Sequence, residues 1–303
     1  MPQHVSTSIP LLEADPDLGR LLPPDRVAEA RHQLVARRHA VPPGPWADPR
    51  LERVGDGHLG LLVLDGLLAH ETVMEDTVST HLLGPGDIAR PWQADDPGQL
   101  LRAEHRWTVL APLQVAVLDA RLGVSLSRYP EVHAMVVDRL AQQMQRMAIA
   151  QAIGRLTGVD RRLLALFWHL SERWGRVAPD GVQVPLNIAH GVLADLVGAR
   201  RPTVSTALGK LSARGELVRL PDGSWLLTGE PVGAPRGAAA RVIRRRMRRP
   251  APLHAVPQWT STAGAAADAS ASASGSSTGG GLSLGSSGVA MARATTTSPN
   301  AHQ

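Results

Sequence analysis

The sequence predicts an α+β protein with an N-terminal β-roll, a long helix, two short helices with a hairpin, and a disordered C-terminal tail. Short apolar runs separated by Gly, Pro and Asp turns extend to about residue 120, which is typical of a small β-barrel or roll. Helical periodicity replaces these runs near residue 125. From residue 231 onward large apolar side chains become rare, so the tail cannot bury enough surface to offset the entropy of ordering it.

The composition of the chain excludes several kinds of metal site and gives no indication of an enzyme. Hydrophobic residues make up 43% of the 303 residues and aromatic residues only 3%, which predicts a core of Leu, Val and Ala. The absence of cysteine excludes disulfides, thiolate zinc sites and cysteine-ligated iron–sulfur clusters. The sequence shows no nucleophile–base pair in a recognisable context, no glycine-rich phosphate loop and no metal-ligand spacing among its 12 histidines. We therefore expect neither catalysis nor a bound cofactor.

Neither an export signal nor a membrane span is visible in the sequence. The first 20 residues lack a basic start followed by an apolar stretch, and no run of about 18 apolar residues occurs. These observations predict a cytoplasmic protein without membrane contact. We expect the first 20 residues to form a loose leader.

The predicted β-roll spans residues 20–122. Two apolar strands are predicted to flank Asp65–Gly66, a dipeptide typical of two-residue hairpin turns. A second turn is predicted at Gly84–Asp87. Two further strands within residues 106–120 are predicted to break at Ala111–Pro112.

A long helix is predicted within residues 123–157, with Pro130 as its first helical residue because proline suits that position. Its apolar residues are spaced three, four and three apart, as in the seam of a coiled coil. They are Val137, Leu140, Met144 and Met147. The pattern fits an amphipathic helix packed on its own domain as well as a helix that forms a dimer. We favour the dimerising helix.

The next predicted domain, residues 158–230, combines three helices with a hairpin. Phe167 and Trp168 are predicted to be core aromatics of the first helix, and Gly198 is predicted to end the second. The predicted elements are helices at 159–175, 190–198 and 201–215 and a hairpin at 216–229. The two short helices and the hairpin have the order of a helix-turn-helix followed by a wing.

The second short helix begins with cations in an unfavourable place. Arg200 and Arg201 precede Pro202 at the helix start, whose free N–H groups carry positive partial charge. A phosphate at this position would satisfy both arginines and the N–H groups together. No acidic residue occurs between Asp195 and Glu216, so double-stranded DNA is the predicted partner. The candidate DNA-binding residues are Arg200, Arg201, Pro202, Thr203, Ser205, Thr206 and Lys210.

The segments LADLVG (193–198) and RPTVSTAL (201–208), behind a strand-rich domain and a long helix, resemble the Crp/Fnr family of bacterial transcription regulators. The resemblance covers roughly residues 45–230. It implies a β-roll of the cyclic-nucleotide-binding type, which is a jelly roll, a dimerisation helix and a C-terminal winged helix-turn-helix. It also implies a homodimer on a near-palindromic operator, with recognition helices about 34 Å apart, and RNA polymerase as a further partner.

Two departures from the family pattern concern DNA binding. Recognition helices of the family often read Ser-Arg-Glu-Thr-Val-Ser-Arg. Arg201 keeps the first base-reading position, whereas Pro202 replaces the acidic reader and Thr206 replaces the later arginine. We therefore expect a different operator. The first short helix has Ala189 where the family often has Thr or Ser, so Asn187 is expected to cap it.

The third departure concerns the effector. Cyclic-nucleotide-binding members carry a Gly-Glu segment and an Arg-Ser/Thr-Ala cassette that hold the ligand. The candidates here are Gly86, Asp87 and Arg102, but Glu104 would repel a phosphate. We therefore expect a degenerate sensor that does not bind cAMP or cGMP. Haem sensing through a histidine stays open, with candidates such as His58, His70 and His81.

Two functions from different classes compete. The favoured one is a sequence-specific transcription regulator. The alternative is a signalling module whose β-roll binds a small effector and whose winged helix contacts a protein. A steep loss of affinity with salt separates DNA binding from protein binding. Within the tail, residues 231–303, the run RVIRRRMRRP (241–250) fits a DNA-anchoring arm and a solvated charge run equally.

Overall fold

The computed structural model describes residues 7–46, 57–91, 100–231 and 233. These residues belong to one structural unit, residues 1–264, and the second unit, residues 265–303, lies outside the described part. The predicted disordered tail and its arginine run therefore fall almost entirely outside the described residues. None of the described helices is both long and apolar enough to cross a bilayer. The predicted domain bounds stay predictions: 20–122, 123–157, 158–230 and 231–303.

Over its described residues, the N-terminal part is built around a seven-stranded antiparallel sheet, in agreement with the predicted β-roll. The elements are β1 (Thr7–Pro10), α1 (Leu11–Ala14), a 3₁₀ turn (Pro16–Gly19), α2 (Pro24–Gln33), β2 (Val35–Val41), β3 (Gly44–Pro45), β4 (Gly60–Met74), β5 (Thr77–Leu83), β6 (Ile88–Ala89) and β7 (Glu104–Leu118). The main strands run in the order β1-β2-β7-β4-β5, and the short strands β3 and β6 pair with β7 and β4.

Strand β4 is buried on both faces over its first half. Leu61 and Val63 belong to a cluster enclosed by the strands, whereas Leu62 and Leu64 pack on the other side against the helices. Because successive side chains of a strand point to opposite faces, a strand covered on both sides reads as a continuous apolar run. This explains the unbroken sequence GLLVL at residues 60–64.

The predicted hairpin at Asp65–Gly66 is wrong, because β4 runs through this dipeptide without reversing. The register against β7 shifts between Val63 and Leu68, so Gly66 lies in a bulge with φ of 95°. A Cβ atom at Gly66 would lie 2.3 Å from the carbonyl oxygen of Pro112. Aspartate and glycine therefore serve a bulge here rather than a turn, since both features need a residue with positive φ.

The predicted break at Ala111–Pro112 is also wrong, because β7 is continuous from Glu104 to Leu118. The pairing with β4 passes from Gln114 directly to Ala111. Pro112 therefore falls where this ladder is interrupted, and its missing N–H costs no bond to β4.

The predicted turn at Gly84–Asp87 is confirmed, since the Asp87 N–H donates to the Gly84 carbonyl at 3.0 Å.

The expected loose leader is wrong for residues 7–20, the part of it that the structure describes, because these residues contribute to the core. Leu11, Leu12 and Leu18 are buried, and the Leu11 N–H donates to the carbonyl of Leu34 at 2.7 Å. Burying three leucine side chains gains about 1.5–3 kcal/mol each. That gain favours order in the segment that was expected to be a loose leader.

Three helices follow the sheet: α3 (Ala120–Leu126), α4 (Pro130–Gly154) and α5 (Val159–Trp174). Asp119 caps α3 by accepting the Leu122 N–H at 3.0 Å. The predicted long helix is confirmed, and Pro130 is its first residue. Its inner face packs on the cluster beside the sheet through Val132, Met135 and Val136.

The C-terminal part is a three-helix core flanked by a small sheet. Its elements after α5 are β8 (Arg176–Ala178), β9 (Gly181–Val184), α6 (His190–Val197), α7 (Arg201–Ala213), β10 (Leu217–Arg219) and β11 (Trp225–Leu227). The sheet order is β10-β11-β9-β8, and β8 is a strand that the sequence did not indicate. Phe167 and Trp168 are core aromatics as predicted, and the Phe167 ring lies 4.9 Å from that of Trp225.

Candidate nucleic-acid interface

The turn between α6 and α7 is set by Gly198. Its φ of 59° lies in the left-handed region, which glycine adopts without strain. The Ala199 N–H donates back to the Ala194 carbonyl at 2.9 Å. Arg162 of α5 donates to the carbonyls of Val197 and Gly198, both at 3.2 Å. The helix end is therefore held from two sides, which fixes the direction in which α7 leaves.

Asn187 does not cap α6, contrary to expectation. The cap position is Ala189, without a side-chain hydrogen bond. The side-chain oxygen Oδ1 of Asn187 instead accepts a hydrogen bond from the Arg219 guanidinium at 2.9 Å. Arg219 lies in β10, the first strand of the wing, so Asn187 connects the wing to the segment that precedes α6.

Helix α7 divides into a buried stripe and an exposed face. Val204, Leu208 and Leu211 are buried as predicted, and they hold the helix against α5 and α6. All seven candidate DNA-binding residues are exposed on the remaining surface. The structure therefore brings together Arg200, Arg201, Pro202, Thr203, Ser205, Thr206 and Lys210 on one helix and its entrance.

Two hydroxyl groups on this face donate hydrogen bonds to backbone carbonyls of their own helix. Ser205 Oγ donates to the Arg201 carbonyl at 3.2 Å, and Thr206 Oγ1 donates to the Pro202 carbonyl at 3.1 Å. Each oxygen keeps acceptor capacity while its proton is used. Amino groups on bases are thus suitable partners for them.

Sequence reasoning missed two side chains at the same surface, His190 and Arg219. The His190 Nδ1 lies 3.0 Å from Ser205 Oγ. Burial, followed by the charges of Arg219 and Arg201, lowers the pKa of His190. Arg219 lies over the Trp225 ring, 5.6 Å from its centre. His190 and Arg219 come close to α7 only when the chain folds. In the sequence, only the position of Arg219 in the predicted wing indicated that it could lie near α7.

Arg214, at the far end of α7, faces its own protein. Its guanidinium bonds to Glu216 at 2.7 Å and to Asp160 at 3.2 Å. Asp160 borders the groove beside Pro202, Thr203 and Lys210. The ion pair with Arg214 therefore neutralises an acid that would otherwise repel a phosphate in that groove.

The predicted seam of α4 is exposed over its whole length. Val137 is 55% exposed and Met144 is 71% exposed, and Leu140 and Met147 accompany them. Exposed apolar patches on soluble proteins are typical of interaction sites. The stripe lies on a different face of the helix from Val132 and Met135, which pack on the helix's own domain.

The three candidate effector residues have different surroundings, and their role in binding an effector stays a prediction. The Asp87 side chain is buried and contacts Arg146 of α4 and Arg173 of α5, while also accepting the Gly84 N–H at 2.9 Å. Gly86 faces Arg139, and Arg102 is exposed. The nearby Glu104 is exposed and bonds to Arg106 at 2.7 Å.

Two of the haem candidates meet in an aromatic cluster on the sheet. The His70 ring stacks on Trp107 at 4.0 Å between centres and contacts His81 edge-on at 4.8 Å. His70 Nε2 lies 3.1 Å from the Nδ1 of His105. Over the described residues, no group of three His, Cys, Asp or Glu side chains is placed to hold a metal ion.

This cluster predicts acid sensitivity of the fold. Burial, followed by the charges of His81 and His105, lowers the pKa of His70 from 6.5 to about 4. Between these pH values the unfolded chain binds a proton that the folded chain does not, so the free energy of unfolding decreases as pH falls from 6.5 towards 4. We expect His70→Phe, which keeps the ring stack, to weaken this dependence. Urea unfolding midpoints of the unchanged protein and of His70→Phe, each measured at pH 7 and pH 5, check this prediction. It would be contradicted if the midpoint changed by the same amount between the two pH values in both proteins.

The layout of these elements is that of a transcription regulator: a strand-rich sensing domain, a long helix, and a DNA-binding helix-turn-helix with a wing. Residues 161–223 match the family model described as a Crp-like helix-turn-helix domain. The regulatory protein CysR of Synechococcus elongatus is 30% identical over 207 residues, which cover 66% of this chain and 86% of CysR. The chain belongs to the Crp/Fnr family of transcription regulators.

More distant relatives agree with this assignment. The CRP-like cAMP-activated global transcriptional regulator of Mycobacterium tuberculosis is 26% identical over 147 residues, covering 48% of this chain and 64% of the relative. A CooA variant from Carboxydothermus hydrogenoformans shares the fold with a TM-score of 0.50 at 20% identity, covering 64% and 84% of the two chains. A cyclic nucleotide-binding domain containing protein from Listeria monocytogenes has a TM-score of 0.51 at 16% identity, covering 70% and 95%.

Proposed function

We propose that the protein binds a near-palindromic operator as a homodimer and regulates transcription from it. In this proposal the seam of α4 joins two copies, and each copy places α7 in the major groove of one half-site. Two half-sites about one turn of DNA apart match the two-fold symmetry of such a dimer. RNA polymerase is the proposed further partner, and the proposed location is the cytoplasm.

The exposed face of α7 is the observation that carries the proposal. Arg200 and Arg201 lie exposed at the helix entrance and Lys210 lies exposed towards its end. No acidic residue occurs on the helix itself. Such a face is complementary to a polyanion, and arginine near a recognition-helix start can pair with guanine through two hydrogen bonds.

We propose that the β-roll senses an effector other than a cyclic nucleotide, and that the protein is not an enzyme. The Asp87 side chain is buried and already paired with Arg146 and Arg173, which supports this view.

Selection from random DNA tests the proposed function. The purified full chain should enrich an inverted repeat with half-sites one helical turn apart, with or without cAMP. Its affinity for that sequence should fall by about 10³–10⁵ between 50 and 200 mM salt if six to ten phosphates are contacted. No enriched repeat, together with a flat salt response, would favour the alternative in which the winged helix contacts a protein.

Arg201→Ala is expected to cost about 1–3 kcal/mol of operator affinity and to relax base choice at one position in each half-site. Lys210→Ala should instead weaken operator and random DNA alike and reduce the salt slope by about 1. Arg38→Ala is the matched control, because Arg38 is an exposed arginine on β2, outside the helix-turn-helix and its wing. Gel-shift titrations on both DNAs provide the measurement. Equal losses on both DNAs for Arg201→Ala would remove its base-reading role.

A further inference from the structure

The buried carboxylate of Asp87 joins three parts of the molecule. It lies in the turn after β5 and contacts Arg146 of α4 and Arg173 of α5. Arg173 also donates to the carbonyls of Gly84 at 2.9 Å and Pro85 at 2.6 Å. Helix α5, the first helix of the DNA-binding part, is thus attached to a turn of the sensing domain by hydrogen bonds that the Arg173 guanidinium donates.

The charges at this junction do not balance. Two guanidinium groups share the single carboxylate of Asp87, and burial together with Arg173 lowers the pKa of Arg146. His81 of β5 and His169 of α5 border the same space. The next arginine, Arg139, is already paired with Asp15 at 3.3 Å. The junction therefore has an excess of hydrogen-bond donors suited to an anion.

A cavity of about 60 Å³ lies beside these arginines. Because one water occupies about 10–15 Å³ on this measure, the cavity has room for roughly four to six non-hydrogen atoms. Its remaining wall is largely apolar, which a purely inorganic ion would not use. The apolar lining residues are Leu82, Met147, Ala150, Leu166, Leu170, Trp174 and Leu196.

We propose that this cavity binds a small organic acid whose carboxylate replaces that of Asp87 between Arg146 and Arg173. The planar guanidinium forks suit a carboxylate, and the apolar wall suits a short aliphatic chain. Binding would remove the ion pairs of Asp87 with Arg146 and Arg173 and so weaken the attachment of the turn to α5, which the bonds from Arg173 to the Gly84 and Pro85 carbonyls would still hold. This last consequence rests on the proposed function, whereas the binding site does not.

Isothermal titration of the full chain with butyrate, in the absence of DNA, tests the site. Butyrate has six non-hydrogen atoms, and butyramide has the same size without the charge. We expect one butyrate per chain, with butyramide bound at least about tenfold more weakly because it lacks the charge-assisted hydrogen bonds. Sulfate at equal ionic strength should also bind more weakly. Equal binding of butyrate and butyramide, or of butyrate and sulfate, would overturn the proposal.

Asp87→Asn provides a result that a purely structural role would not give. Asparagine keeps an oxygen for the Gly84 N–H but no longer competes for the arginines. Butyrate should therefore bind the variant at least about tenfold more tightly than it binds the unchanged protein. It should also raise the melting temperature of the variant by more than it raises that of the unchanged protein.

Ala150→Leu is the matched variant that fills the cavity without altering a charge. It should weaken butyrate binding by at least about tenfold, while the circular dichroism spectrum stays unchanged. Unaltered butyrate affinity in both Asp87→Asn and Ala150→Leu would overturn the proposal. Because no DNA is present, failure here leaves operator binding intact, and failure of operator binding leaves this site intact.

Discussion

Met144→Glu is expected to convert a dimer into a monomer and to lower operator affinity by at least about 100-fold. Met144 is 71% exposed at the middle of the α4 seam, so a charge there would have to be desolvated when two seams pack together. A monomer engages one half-site only, and loss of a second linked contact costs about 10²–10⁴ in apparent affinity. Light scattering after size-exclusion chromatography and gel-shift titration measure the two effects.

Gln145→Glu is the matched control for this prediction. It introduces the same charge at the next residue, about 100° further around the helix, where the side chain is also exposed. The control should remain a dimer and keep its operator affinity within about threefold. If Met144→Glu remained a dimer, α4 would not form the interface. The alternative, an amphipathic helix that packs only on its own domain, would then be correct.

Gly66→Ala is expected to lower the free energy of unfolding by at least about 3 kcal/mol. Gly66 has φ of 95°, and an added Cβ would lie 2.3 Å from the Pro112 carbonyl oxygen and 2.8 Å from the Leu113 Cα. Both atoms belong to the backbone of β7, which is paired on either side, so neither can shift without breaking strand pairing. Urea unfolding followed by circular dichroism measures the loss.

Gly209→Ala separates this effect from a general response to glycine replacement. Gly209 lies inside α7, and an added Cβ would meet nothing within 4 Å. Alanine should therefore raise the free energy of unfolding by about 0.5–1 kcal/mol, because it favours a helix and restricts the unfolded chain. If both variants lost stability to the same degree, the close approach of β4 and β7 would not be the cause.

The C-terminal half could be predicted because its signals are local. Gly198 and Gly215 end their helices at positive φ. The wing reverses at the turn-forming sequence from Pro221 to Ser224, where the Leu220 N–H donates to the Ser224 carbonyl at 2.8 Å. Each of these residues determines the conformation of its immediate neighbours. The helices α5, α6 and α7 therefore lie close to the predicted ranges.

The N-terminal half depended on contacts that the local sequence does not reveal. Asp65–Gly66 has the chemistry of a turn, but the register between β4 and β7 makes it a bulge. Leu11 and Leu18 looked like parts of a leader until the fold placed them against Leu34 and the helices. In both cases the partner lies far away along the chain, where periodicity gives no information.

The candidate sites follow the same division. The exposed cations and hydroxyls of α7 could be predicted because a helix places them on one face. Asp87, in contrast, was assigned to an effector, and the structure places it between arginines that lie 59 and 86 residues further along the chain. His190 was missed because its proximity to Ser205 arises only when α6 crosses α7.

The central place of β7 has a consequence for synthesis on the ribosome. β7 pairs with β2 on one side and β4 on the other, yet it is the last of the three to be translated. Until Leu118 has left the exit tunnel, the ribbon of β1 and β2 has no strand that attaches it to β4 and β5. The nascent sensing domain therefore exposes unpaired strand edges for most of its translation, which is the stage at which chaperones bind such chains.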